Sequence, residues 1–97
     1  MDKQWLFIIH REYVNSLRRV VSDQDRYQLG VAIRDRLEKA EDPTLDATPV
    51  ANRPGRFTIE LMGYLITFEV PVDANNAVLK EADYIILLPI ETAKTAN

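Results

Sequence analysis

Arg56-Phe57-Thr58-Ile59-Glu60-Leu61-Met62-Gly63-Tyr64-Leu65-Ile66-Thr67-Phe68-Glu69-Val70 decides the fold. Phe57, Ile59 and Leu61 alternate with Arg56, Thr58 and Glu60, the period-2 pattern of a strand with one buried face. Met62-Gly63 is a tight-turn pair, and the next run, Tyr64 to Val70, is again β-branched and aromatic. Two such runs around a two-residue turn form a β-hairpin. The rest of the chain is read outward from it.

Upstream, residues 41–55 hold Pro43, Pro49, Pro54 and Gly55 among small polar residues, a loop of fifteen positions. That is long for a connection inside a compact domain. Before it, Leu29, Ile33 and Leu37 are spaced by four, which predicts a helix from about Ser22 to Ala40. Ser22 suits its N-cap, Asp23 and Asp25 favour its positive end, and Asp42-Pro43 lies just beyond its stop. Gly30 in this helix either permits close packing against a neighbour or is a tolerated weak spot. Tyr13, Val14, Leu17, Val20 and Val21 predict a first helix over Glu12 to Val21. Trp5 to His10 reads as a strand so continuously apolar that both of its faces are expected to be covered, one by helices and the other by a partner. Downstream, Pro71 to Ala82 is a polar loop. Tyr84 to Ile90 is an apolar strand expected at the centre of the sheet, and residues 91–97 are expected to be a flexible tail.

Composition bounds the rest. The 97 residues support one core, 46% are hydrophobic and 28% charged, and this is ordinary for a folded domain. The absence of cysteine removes disulfides, thiolate metal sites and cysteine nucleophiles. Met1 to Trp5 has no apolar leader segment, and the apolar runs fall far short of the ~20 residues that span a bilayer. A cytoplasmic protein with no membrane contact is expected. The net charge is −3, which disfavours phosphate backbones, although nine of the twelve basic residues lie between Arg11 and Arg56. Nucleic acid is therefore the less favoured partner.

The order strand, two helices, proline loop and three strands resembles that of the RelE/ParE toxin superfamily. Asp42-Pro43, Thr48-Pro49-Val50 and Gly55-Arg56-Phe57-Thr58-Ile59 are similar to the family's run from the second helix into its next strand. Gly63-Tyr64-Leu65-Ile66-Thr67-Phe68-Glu69 looks like the following turn and tyrosine-containing strand. The likeness covers about residues 5 to 90. It implies an α+β fold, with two N-terminal helices packed on a mainly antiparallel four-stranded sheet, in one domain spanning 1–97. Ribosome-dependent members cut mRNA by activating a 2′-hydroxyl, with basic side chains offsetting charge at the phosphate. At the matching positions this chain has Thr58, Glu60 and Leu65, and after the last strand Pro89-Ile90-Glu91-Thr92. The groups that would stabilise developing negative charge are absent. The resemblance then implies a toxin-module protein acting through protein contact without ribonuclease activity. Its partner would be an antitoxin-like protein or a second copy, and its target a protein such as gyrase.

Residue chemistry keeps two alternatives. One is a weak mRNA endonuclease with a rearranged site built from His10, Arg53 and Arg56; the other is a non-toxic homodimeric structural domain. His10 is the single group whose unperturbed titration lies near neutrality. Arg53 and Arg56 flank Pro54-Gly55 and could clamp an anion with Arg11, Arg18 or Arg19, although solvated arginines are the commoner case. Tyr64 could stack on a base or donate a proton, although aromatic residues in strands usually pack in cores. Arg11, Arg18, Arg19, Arg56 and Tyr64 form the binding candidates. One histidine and dispersed carboxylates point to no metal and no cofactor.

Overall fold

A computed structural model describes residues 3–93. The elements run β1 (Leu6–Ile9), α1 (Arg11–Arg19), α2 (Asp23–Leu37), β2 (Thr48–Pro49), β3 (Arg56–Leu61), β4 (Tyr64–Glu69), β5 (Tyr84–Leu87) and β6 (Glu91–Thr92). The strands form one mixed sheet in the order β1-β5-β4-β3-β2, with β6 also paired to β4. β1 and β5 are parallel and the other pairings antiparallel. The molecule is an α+β fold of two helices on a multi-stranded sheet.

The hairpin sets the register. Met62 and Gly63 both have positive φ, 54° and 84°, as a type I′ turn requires. From that turn the ladder runs from Leu61 opposite Tyr64 to Arg56 opposite Glu69. Phe57, Ile59, Tyr64, Ile66 and Phe68 consequently share one face. On it they are buried with Ile85 and Leu87 of β5, Leu29, Ile33 and Leu37 of α2, and Tyr13 of α1. The Phe57 and Phe68 rings stack across the strands with centroids 6.1 Å apart. Trp5 closes one end of the core: its indole N–H donates to the Ala40 carbonyl at 2.7 Å and its backbone N–H to Glu38 at 2.8 Å.

The second helix begins as its cap predicts. Ser22 Oγ accepts the Asp25 N–H at 3.3 Å, and α2 stops at Leu37, three residues short of the expected Ala40. A methyl group added at Gly30 would meet nothing within 4 Å, so this glycine serves no close helix packing.

Three expectations are corrected. The sheet has two strands more than the four expected, each of two residues. Thr48–Pro49 pairs with Thr58 and Phe57 as an edge, a place where a proline without an N–H is tolerated. Glu91–Thr92, expected within the flexible tail, pairs with Leu65 and Tyr64; residues 94–97 lie outside the described residues. β4 extends beyond the end of β5, and the chain leaving β5 supplies the missing partner. Finally, β1 is not covered on both faces within the chain. It is the sheet edge, with Leu6 68% and Ile9 53% exposed, because continuous apolarity there does not reflect burial.

Candidate functional site

Two features stand out on the described surface: a bulge beside the sheet's open face, and the uncovered edge of β1. The bulge follows from register. Leu87 pairs with Phe68 and Glu91 with Leu65, so four steps on one strand match three on the other. Leu88 still donates its N–H to the Thr67 carbonyl at 2.9 Å. Pro89 has no N–H to give, and the Ile90 N–H turns to Ser16 Oγ on α1, at 2.8 Å. Ser16 in turn donates to the Tyr13 carbonyl at 2.7 Å. The extra residue reverses the alternation, so that Ile90 is buried in the core while Glu91 returns to the open face.

Pro89 walls a hollow on each side of the bulge. One, about 350 Å³ and shallow, is lined by Arg56, Thr67, Leu88, Pro89 and Glu91. The other, about 230 Å³, lies against α1 with Glu12, Asn15, Ser16 and Arg19 in its wall. In the first, Arg56 is already committed. Its Nε and Nη2 donate to the same Glu69 oxygen at 2.8 and 2.6 Å, a contact about two-thirds shielded from solvent. The pair cancels the arginine's charge where a phosphate would need it, and Glu91 adds a negative charge to the wall. Glu69 stands outside the candidate set read from the sequence. Its pairing was nonetheless legible there, since a two-residue turn at Met62-Gly63 places it opposite Arg56.

The other sequence candidates are dispersed. His10 is exposed at the N-cap of α1, and its side chain makes no capping bond. Arg53 is exposed in the turn before β3, where its carbonyl accepts the Arg56 N–H at 3.1 Å. Ile8, Ile86, Glu69 and Arg56 form one row across the sheet, putting Arg56 three strand spacings, about 14 Å, from β1. His10 lies two residues beyond Ile8, just past the end of β1, so His10 and Arg56 do not converge on one substrate atom. Arg11, Arg18 and Arg19 are exposed on α1, on the helix side of the sheet, while Arg56 is on the open face. Tyr64 is buried: its hydroxyl donates to Asp25 Oδ2 at 3.0 Å and accepts the Ser22 N–H at 3.4 Å, tying the start of α2 to β4.

Part of the basic cluster is also spent internally. Arg26 donates to the Leu17 and Arg18 carbonyls at 3.0 and 2.7 Å, satisfying the C-terminal end of α1, and it pairs with Asp23. Arg36 donates to the Leu45 carbonyl. Burial raises the Tyr13 phenol above its ordinary pKa. Among the described residues, no three His, Asp or Glu side chains gather closely enough to hold a metal ion. No described helix is long and apolar enough to cross a membrane.

The β1 edge is the second feature. Leu6 donates its N–H to Asp83 at 2.9 Å, so the backbone groups of Leu6 and Ile8 face β5 and those of Phe7 and Ile9 face outward. Leu6 and Ile8 point to the open face beside Tyr84 and Ile86, their register partners. On the helix side Ile9 is followed by Val14 of α1, itself 39% exposed. Leu6, Ile8, Ile9 and Val14 make up four of the seven large apolar residues exposed in the described structure. Charges and proline, the usual protection of a free edge, are missing from Leu6–Ile9 itself.

The chain matches no protein-family model, and no curated protein shows significant similarity to it.

Proposed function

We propose that this chain is a RelE/ParE-like toxin-module protein that acts through protein contact and does not cleave RNA. The observation that carries the reading is the apolar, uncapped β1 edge, with Leu6 68% exposed. Free edges of this kind recruit an added strand, whose main-chain hydrogen bonds supply affinity. The order of the long elements, one strand, two helices and three strands, agrees with the layout the resemblance implies. The open face supports the absence of ribonuclease chemistry. Arg56 is neutralised by Glu69, Glu60 and Glu91 add negative charge, and His10 lies at the far edge. Phosphoryl transition states need several converging cations, and among the described residues this face brings none together.

Induction of the chain in a bacterial host, with growth and mRNA integrity followed together, tests the proposal. Growth arrest with intact mRNA is the expected result, and arrest should be lost when Leu6 and Ile8 are both replaced by lysine. Cleaved mRNA would overturn it in favour of an endonuclease. Normal growth would overturn the toxin-module part and leave a structural domain.

A further inference from the structure

Building on the reading that the chain acts through contact at β1, we infer that the partner there is a second copy of the same chain. The two β1 strands pair antiparallel about a two-fold axis at Ile8.

The free backbone groups decide the register. Only Phe7 and Ile9 present N–H and C=O outward, because Leu6 and Ile8 bond to β5 and the Trp5 N–H is held by Glu38. In an antiparallel ladder, outward residues must face outward residues. Centring on Phe7 would align it with itself and set Ile9 against Trp5, whose donor is taken. Centring on Ile8 sets Phe7 against the partner's Ile9 twice, satisfying the free groups of both residues on both copies. No other centre uses them all.

Side chains fit the same register. On the open face Ile8 meets Ile8 of the other copy and Leu6 meets its His10, joining two exposed apolar strips flanked by Tyr84 and Ile86. On the helix side Ile9 and Val14 are both exposed beside the edge. The ends carry both signs of charge. Arg11 and Glu12, at the start of α1, come opposite the partner's Trp5, beside which lie Lys3 and Asp83, so that each end presents a cation and an anion to the other.

The absence of native cysteine makes the register directly testable in the full chain. At a two-fold axis, position 8 faces itself in a non-hydrogen-bonded pair with Cα atoms about 4.5 Å apart, within disulfide reach. Position 6 lies about 13 Å or more from its counterpart. Under mild oxidation Ile8→Cys is expected to give at least about tenfold more covalent dimer than Leu6→Cys at equal concentration. In sedimentation the wild-type chain should be dimeric. Ile9→Pro, which deletes an outward N–H and spares the β5 ladder, should weaken the dimer by about tenfold or more with an unchanged circular dichroism spectrum. A wild-type monomer, or equal cross-linking of the two cysteine variants, would overturn the inference. Growth assays separate this from the reading beneath it: arrest by a monomeric chain overturns only the dimer, and a dimer without arrest overturns only the toxin module.

Discussion

The Ser16 hydroxyl accepts the Ile90 backbone N–H at 2.8 Å and so fastens α1 to the bulge between β5 and β6. Ile90 is buried, and the ladder offers its N–H no acceptor at the bulge. Ser16→Ala should therefore cost about 1–3 kcal/mol, the range for a buried donor stripped of its partner. Urea denaturation of the two chains measures it; a loss below about 0.5 kcal/mol would mean that water replaces the hydroxyl.

The three glycines should respond differently to alanine. At Gly55, with φ +87°, an added Cβ would sit 2.7 Å from the Val70 carbonyl oxygen, whose residue is hydrogen-bonded to Gly55 itself. Steric overlap and a left-handed backbone combine there, and Gly55→Ala should cost about 2 kcal/mol or more. Gly63 has φ +84° and open space around it, so only the conformational term of about 1 kcal/mol applies. Gly30 is helical with open space, and Gly30→Ala should stabilise the fold by about 0.5–1 kcal/mol. Denaturation midpoints of the three variants should rank Gly30→Ala, Gly63→Ala, Gly55→Ala from most to least stable.

Tyr13 makes stability fall in alkali. Its folded pKa is raised by burial above the ordinary value of about 10. The stabilisation tied to its protonated form is complete below the unfolded pKa and is lost as pH rises through the folded one. Between pH 9 and pH 11.5, Tyr13→Phe should lose less stability than the wild-type chain. Parallel slopes in urea titrations would show that Tyr13 does not carry this dependence.

The Arg56–Glu69 pair is partly shielded, and its worth is modest. A double-mutant cycle with Arg56→Met and Glu69→Gln should give a coupling of about 0.5–1 kcal/mol, reduced by salt. The same Glu69→Gln change frees Arg56, so retention of RNA at low salt should rise from wild type to variant. No increase would show that Glu69 is not what keeps this face from phosphate.

The sequence by itself determined the elements whose causes are local. Alternation at Phe57, Ile59 and Leu61, the turn at Met62-Gly63 and the four-residue spacing of Leu29, Ile33 and Leu37 depend on a few neighbouring residues. They predicted the hairpin and the second helix, and the hairpin register already implied that Arg56 faces Glu69. Tertiary structure alone decided the rest. Whether the apolar run Leu6–Ile9 is central or at an edge depends on which strand lies beside it, and the same residues suit either place. The β6 pairing and its bulge arise because β4 outruns β5, a mismatch visible only once the strands are side by side. The distance between His10 and Arg56, and the capture of Arg26 by the end of α1, likewise come from how the chain folds back on itself. Patterns of residues encode which face is buried; long-range register decides what meets across it.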